Sequence, residues 1–200
     1  MKQKALEKIL QSVPPHPCPS AALEQYITPA PAAAAALFFA AQYGDLTGRR
    51  VADLGCGTGI LAIGAKLLGA SEVVGIDSDP KSVEVARQFS ATMGLELRLD
   101  VGDIGSFHGE LDTVVMNPPF GAQKKHADRP FLEKAFEVAP VVYSFHMANT
   151  EDWVRREASG AGFTITHKNK YVFAIRHLFD FHRKERLEID VLLFRMESGR

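Results

Sequence analysis

The stretch Asp53-Leu54-Gly55-Cys56-Gly57-Thr58-Gly59 joins an apolar run, residues 50–54, to a helical pattern at residues 60–68. Glycines at such a junction permit a tight turn and let a ligand approach the backbone amides closely. Asp77 ends the next apolar run, about 18 residues after the last glycine, and a carboxylate in that place typically accepts the hydroxyls of a ribose. The stretch therefore predicts a nucleoside-binding turn between a strand and a helix.

The spacing of the glycines separates two kinds of cofactor site. A dinucleotide-binding turn follows the pattern G-x-G-x-x-G, but the sixth position counted from Gly55 is Ile60, so the spacing fails. The form Asp-x-Gly-x-Gly-x-Gly, with Asp53 ahead of the glycines, instead resembles the class I methyltransferases that use S-adenosylmethionine. In that family the loop lies against the amino-acid part of the cofactor. The resemblance implies S-adenosyl-L-methionine as the cofactor, and a plain turn without a ligand is the alternative.

Apolar runs and helical patterns alternate along the chain from residue 49. The predicted strands are 50–54, 72–76, 95–99, 111–116 and 141–145, and the predicted helices are 60–68, 80–93, 131–138 and 150–159. Two long strands, 163–175 and 187–194, then close the chain without a helix between them. Alternating units predict an α/β fold whose sheet is mostly parallel, with helices on both faces. The closing pair predicts an antiparallel edge, and the resemblance implies a seven-stranded, Rossmann-like class I methyltransferase fold.

Length and composition set the organisation of the chain. Two hundred residues predict a single domain, 1–200. The resemblance implies that residues 1–48 form an N-terminal helical segment closing over the cofactor and that residues 49–200 form the catalytic core. The net charge of -1 is not typical of a nucleic-acid binder. Two distant cysteines, Cys18 and Cys56, argue against a disulfide framework or a zinc site, so no metal is expected. The apolar stretch 32–41 is too short for a bilayer, which predicts no membrane contact and a cytoplasmic location.

The stretch Asn117-Pro118-Pro119-Phe120 directly follows the fourth predicted strand. The carboxyl end of that strand faces the same crevice as the glycine loop. Asn117 and the Pro118 backbone offer carbonyl acceptors, and Phe120 offers a flat stacking face. Such a corner suits a planar ligand with an exocyclic amine, although an Asn-Pro pair also ends strands as a plain turn. We predict these four residues to be the catalytic corner of the enzyme.

Several motifs in fixed order resemble one methyltransferase family more closely. Leu23-Glu24-Gln25-Tyr26, Thr28, the glycine loop, Val115 to Gly121 and Val142-Tyr143-Ser144-Phe145-His146 are similar to the archaeal and eukaryotic methyltransferase-like family that makes N6-methyladenosine in small-subunit ribosomal RNA. The resemblance covers about residues 20 to 195. Ile27 and Met147 depart from it, since the family often has proline and lysine there.

The resemblance implies a set of cofactor contacts along the chain. In that family an acid after the third strand meets the adenine amine, and the N-terminal segment closes over S-adenosylmethionine. Carried onto this sequence, the implied cofactor-binding residues are Gln25, Tyr26, Thr28, Asp53, Gly55, Cys56, Gly57, Thr58, Gly59, Ile60, Asp77, Ser78, Asp103, Ile104 and Asn117. Thr28 is also a candidate N-cap for the alanine-rich helix, with Pro29 in its first turn.

Basic side chains after the catalytic corner and before the last strand suit contacts with single-stranded RNA, with ordinary solvated charges as the alternative. The resemblance implies that this RNA is ribosomal. The predicted RNA-binding residues are Lys124, Lys125, His146, His182, Arg183 and Lys184. The resemblance also implies a small zinc-binding activator subunit that forms a heterodimer with the chain. Two other readings stay open at this point: a protein glutamine methyltransferase, which shares Asn-Pro-Pro followed by an aromatic residue, and a non-catalytic cofactor-binding module.

Overall fold

The computed structural model describes residues 1–17, 19, 27–121, 126–176 and 186–199. Short 3-10 turns at Ile104–Ser106 and Ala148–Thr150 join some of its elements. In chain order these elements are α1 (Gln3–Leu10), α2 (Ala30–Gln42), β1 (Arg50–Leu54), α3 (Ile60–Leu67), β2 (Glu72–Asp77), α4 (Pro80–Thr92), β3 (Arg98–Val101), β4 (Thr113–Met116), α5 (Arg129–Val138), β5 (Val141–Met147), α6 (Glu151–Gly160), β6 (Phe163–Arg176) and β7 (Arg186–Ser198).

The described strands form one seven-stranded sheet in the order β3-β2-β1-β4-β5-β7-β6. Strands β1 to β5 pair in parallel, and β7 runs antiparallel to both of its neighbours, β5 and β6. The predicted α/β fold with a mostly parallel sheet and an antiparallel edge is therefore confirmed. The reversed strand, β7, lies second from the edge, because it pairs between β5 and the edge strand β6.

Alternate residues of each strand pack against opposite layers of helices. In β1, Val51 belongs to the core formed with α1, α2, α3 and α4, whereas Ala52 and Leu54 belong to the core formed with α5 and α6. This alternation follows from the two-residue repeat of a strand. β4 is apolar from Val114 to Met116, and β1 is apolar except for Arg50 and the buried Asp53, as expected for parallel strands covered by helices. The helices lie on both faces of the sheet, as predicted.

The structure corrects several predicted boundaries, and the last strand, for example, ends at Ser198 rather than at residue 194. The third strand was expected at 95–99, but Leu95 donates its N–H to the Ser90 carbonyl at 2.9 Å and still belongs to the turn that ends α4. Gly94, with φ of +65°, allows this turn. The N-cap assignment of Thr28 was also wrong, because α2 begins at Ala30 with Pro29 at its cap and has no side-chain capping bond.

The N-terminal segment packs on the same core as the central helices. Leu6 and Leu10 of α1 are buried with Leu37 of α2 and Ile63 of α3. The single domain and its division after residue 48 stay predictions. Within the described ranges, no helix has both the length and the apolar content that a bilayer crossing needs.

Candidate functional site

A cavity of about 650 Å³ opens at the carboxyl ends of β1, β2 and β4. Parallel strands bring the loops that follow them to one edge of the sheet, where α/β proteins bind their ligands. The volume is in the range of small-molecule sites. Most of the predicted cofactor residues line it, namely Thr28, Asp53, Gly55, Cys56, Gly57, Thr58, Ile60, Asp77, Ser78, Asp103, Ile104 and Asn117.

The glycine loop takes a backbone shape that other residues rarely adopt. Gly55, Gly57 and Gly59 have φ of +75°, +53° and +85°, in the left-handed region that glycine reaches without steric cost. A Cβ at Gly55 would lie 3.0 Å from the ring of Phe131. The loop can therefore approach a ligand closely with its backbone, and Gly59 shapes the start of α3 although it does not line the cavity.

Asp53 places a buried carboxylate beneath this loop. Its Oδ2 accepts the N–H of Ala62 at 2.9 Å, and its Oδ1 is buried without a hydrogen-bond partner among the described residues. Burial is the main cause that raises the pKa of this carboxyl to about 7, against an ordinary value of 3.8, and the charge of Asp77 raises it further. A carboxylate so poorly compensated favours a cationic ligand group.

Asp77 holds the loop and faces the same cavity. One carboxylate oxygen accepts the N–H of Gly57 at 2.8 Å, and the other accepts the N–H of Asp79 at 2.9 Å. Burial raises the pKa of Asp77, and the two backbone hydrogen bonds oppose that rise. Each carboxylate oxygen keeps a further lone pair for a ligand hydroxyl, so Asp77 can accept hydrogen bonds from a ribose.

The predicted adenine end of the site lies where the chain leaves β3. Asp103 caps the short turn Ile104–Ser106 by accepting the N–H of Gly105 at 2.8 Å. Asp103 and Ile104 both line the cavity, and the side chain of Ile104 is partly buried against the α5 layer. This end therefore joins an acidic acceptor to an apolar wall, which suits the edge and the face of a purine.

At the catalytic corner the side chain of Asn117 is fixed at one end and unpaired at the other. Its Nδ2 donates to the hydroxyl of Thr28 at 3.0 Å, whereas its Oδ1 is buried without a partner in the described part of the chain. Pro119 lines the cavity with Asn117, but Pro118 and Phe120 are not among the lining residues. Phe120 is 9% exposed, and its ring centroid lies 6.2 Å from that of Phe173.

His146 was wrongly predicted to contact RNA. Its side chain has no exposed surface, because its Nδ1 lies 3.0 Å from Asp128 Oδ2 and its Nε2 lies 2.7 Å from Ser144 Oγ. These contacts tie the loop before α5 to β5 in the protein interior. The other predicted residues Gln25, Tyr26, Lys124, Lys125, His182, Arg183 and Lys184 lie outside the described residues.

Several lining residues were missed from the sequence. His16, in the proline-rich segment after α1, lines the cavity and pairs with the carboxylate of Asp79. Phe131 and Lys134 line the cavity from α5. The isolated histidine between prolines was a weak signal for His16. Residues on α5 carry an ordinary amphipathic pattern, so their position beside the glycine loop depends on helix packing alone.

A comparison with protein families matches residues 31–118 to the model described as ribosomal protein L11 methyltransferase (PrmA). This match includes the glycine loop, Asp77 and Asp103, and it ends inside the catalytic corner at Pro118. It leaves out α5, α6 and the two long closing strands. The matched part thus contains β1 to β4 and the loops after them that line the cavity, whereas Thr28 and the lining residues of α5 lie outside it.

Whole-chain relatives extend the comparison. The rRNA N(6)-adenosine-methyltransferase Mettl5 of Drosophila melanogaster is 37% identical over 100% of this chain and 98% of its own. An uncharacterized protein of Methanocaldococcus jannaschii is 41% identical over 99% of this chain and 95% of its own. A crystal structure from Pyrococcus horikoshii, described as a proposed RNA methyltransferase, superposes with a TM-score of 0.93 at 40% identity, covering 99% and 98% of the two chains.

Proposed function

Because the chain belongs to the METTL5 family of rRNA N6-adenosine methyltransferases, we propose that it methylates the N6 amine of one adenosine in small-subunit ribosomal RNA. The chain is an S-adenosylmethionine-dependent methyltransferase. The observation that carries the proposal is the buried Oδ1 of Asn117, a residue that lines the cofactor cavity; this oxygen has no hydrogen-bond partner among the described residues. Such an acceptor suits a substrate whose N–H group can donate a hydrogen bond to it.

The described cavity fits S-adenosylmethionine. Asp53 Oδ1, which has no partner among the described residues, would hold the ammonium group of the methionine part, and Asp77 would accept hydrogen bonds from the ribose. Asp103 and Ile104 would hold the adenine at the other end. When bound, this cofactor supplies a methyl group on a positively charged sulfur. The residues of the chain bind it, orient it and keep water from the reacting atoms.

Asn117 would make the adenine amine reactive. The exocyclic nitrogen of adenine shares its lone pair with the ring and is a poor nucleophile. Hydrogen bonds from this amine to Asn117 Oδ1 and to the Pro118 carbonyl would bias the nitrogen toward a tetrahedral shape and stabilise the positive charge that develops on it. We propose that the target base is turned out of the RNA chain to reach this corner, and that Phe120 stacks on it once its ring is uncovered.

RNA would approach along the loop after the corner. Lys124 and Lys125 are proposed to contact phosphates there, as are His182, Arg183 and Lys184 before the last strand. His126 is exposed, and its ring centroid lies 5.1 Å from that of Trp153. We also propose that a small zinc-binding activator subunit forms a heterodimer with the chain and contributes to RNA specificity.

Transfer of a labelled methyl group tests the reaction. The chain, alone and with the activator subunit, is incubated with labelled S-adenosylmethionine and either total RNA or protein extract from cells lacking the enzyme. We expect label at the N6 position of one small-subunit adenosine. Label on a protein glutamine would replace the RNA assignment with the glutamine methyltransferase alternative. Absence of transfer under both conditions would favour the non-catalytic binding module.

Substitution Asn117→Ala tests the catalytic corner. We expect kcat to fall by about 10²- to 10³-fold, as when other charge-stabilising hydrogen-bonding groups are removed. The cofactor Kd, measured by calorimetry, should change by less than about twofold. Asn149→Ala is the matched control, because Asn149 is exposed on the turn before α6. If cofactor binding collapses in Asn117→Ala, then Asn117 holds the cofactor and the catalytic role assigned to it is wrong.

A further inference from the structure

Thr28 and Asn117 form a contact between two distant parts of the chain. They are 89 residues apart in sequence, and the Asn117 Nδ2 donates to the Thr28 Oγ1 at 3.0 Å. Thr28 lies just before α2, and Asn117 lies just after β4. Both residues line the cofactor cavity, so the contact lies at the site rather than in the remote core.

We propose that Thr28 is a positioning residue that acts through Asn117: its hydroxyl holds the carboxamide so that Oδ1 is presented to the target amine. This inference rests on the proposed function, in which Asn117 Oδ1 accepts the N–H of the substrate. It assigns Thr28 a role in the chemical step. The sequence resemblance implied only a cofactor contact.

The carboxamide of an asparagine needs such a partner. Rotation about its last side-chain torsion is broad and nearly two-fold, so the amide nitrogen and the oxygen can exchange places at small energetic cost. The exchanged form would present a donor to an amine that also donates, which is repulsive. The contact with Thr28 restrains this rotation, and in the structure Nδ2 is the end turned toward Thr28, which leaves Oδ1 as an acceptor without a partner among the described residues.

The surroundings of Thr28 make it a fixed partner. Thr28 is 4% exposed and is followed by Pro29, whose ring restricts the backbone. The helix that follows is anchored by buried Ala33, Ala34 and Leu37. The Thr28 hydroxyl is not used as a helix cap, since α2 has no side-chain capping bond. It remains available to Asn117 at a constant position.

Replacing the hydroxyl should lower kcat selectively. Thr28→Val keeps the shape of the side chain, and we expect kcat at saturating cofactor and RNA to fall about tenfold, the size of one neutral hydrogen bond. The cofactor Kd and the RNA KM should each stay within about twofold. Thr28→Ser, which keeps the hydroxyl, should restore most of kcat.

Thr113→Val is the matched control for this experiment. Thr113 lies on β4, the strand that leads into Asn117, and its buried hydroxyl donates to the Asp45 carbonyl at 2.6 Å. Its loss removes an equally buried threonine hydrogen bond away from the cavity. We expect a lower melting temperature but an unchanged kcat, which separates positioning from general destabilisation.

A second measurement does not depend on activity. The chain has three asparagines, at 117, 149 and 169, so labelling with 15N-asparagine gives three side-chain amide signals. In the native chain the Asn117 amide protons should exchange slowly with solvent, and Thr28→Val should accelerate that exchange at Asn117 alone. Unchanged exchange would overturn the inference.

The outcomes separate this inference from the proposed function. If the native chain methylates another acceptor, the proposed substrate is wrong. The role of Thr28 is then still tested by comparing kcat of Thr28→Val with kcat of the native chain on that acceptor. If the native chain transfers no methyl group, the rate at which the Asn117 side-chain amide protons exchange with solvent is the remaining test of the role of Thr28. A raised cofactor Kd with native kcat in Thr28→Val would make Thr28 a cofactor contact and would overturn the positioning role.

Discussion

Asp53 and Asp77 lie beneath the same loop, yet their carboxylates are compensated differently. Asp77 accepts two backbone N–H groups, one on each oxygen. Asp53 accepts one, and its second oxygen is buried and unpaired in the described structure. Both pKa values are raised, with burial the largest cause. The ionised form of Asp53 is therefore unfavourable in the ligand-free protein, and a cationic ligand group would compensate its charge.

Asp53→Asn should stabilise the ligand-free protein and weaken cofactor binding. The folded pKa of about 7 exceeds the ordinary 3.8, so the folded state binds the proton more tightly and ionisation destabilises it progressively as pH rises from about 4 to 7. At pH 8 the variant should melt at a higher temperature than the native chain, and at pH 4 the difference should vanish. Thermal unfolding at both pH values measures this.

Cofactor affinity should show the opposite dependence on pH. In the native chain, Kd for S-adenosylmethionine should decrease as pH rises through about 7, because the ionised carboxylate of Asp53 can pair with the ammonium group. In Asp53→Asn, the Kd should be higher and flat across this range. A variant Kd that still follows pH through 7 would assign the titration to another group.

At the scale of elements, the need for glycine at the end of the loop between β1 and α3 depends on how closely α3 packs against α4. A Cβ added at Gly59 would lie 3.0 Å from the Cβ of Ala86 on α4. The alternation of strands and helices was readable from the sequence because each element carries its own hydrophobic repeat. The distance between two helices is not encoded in either repeat, so this requirement for glycine appeared only in the structure.

Gly59→Ala should destabilise the fold more than Gly94→Ala. Both glycines have positive φ, +85° and +65°, and each substitution costs about 1–2 kcal/mol of backbone strain. Only Gly59 also meets a neighbouring helix, whereas nothing lies within 4 Å of a Cβ at Gly94. We expect an additional loss of about 1 kcal/mol for Gly59→Ala, measured by urea unfolding. Equal losses would mean that α3 and α4 adjust without cost.

Across the whole molecule, a buried polar cluster ties the segment after α2 to the antiparallel end of the sheet. Asp45 accepts hydrogen bonds from Arg195 Nε on β7 at 2.9 Å and from the Tyr143 hydroxyl on β5 at 2.5 Å. Arg195 also bonds Glu197 at 2.8 Å. Burial and the adjacent Asp45 raise the pKa of the Tyr143 hydroxyl, so it stays protonated and donates.

Asp45→Asn should lower the free energy of unfolding by about 3 kcal/mol, because it leaves the buried Arg195 charge without its main partner. Asp190→Asn is the matched control, since the Asp190–Lys170 pair has side chains 53% and 59% exposed and should contribute less than about 1 kcal/mol. Chemical denaturation of both variants measures the difference. Similar decreases in the free energy of unfolding of both variants would show that the buried cluster stabilises the fold no more than an exposed ion pair does.

The sequence by itself determined the class of fold, and it predicted most of the residues that the structure brings together around the cavity. Hydrophobic repeats, the glycine pattern and the Asn-Pro-Pro-Phe stretch are local, so their meaning is readable from neighbouring residues. Only the tertiary structure decided which side chains meet: Thr28 contacts Asn117, and His146 is buried against Asp128. Such contacts join residues far apart in the chain, and they depend on how helices and strands pack rather than on any local repeat.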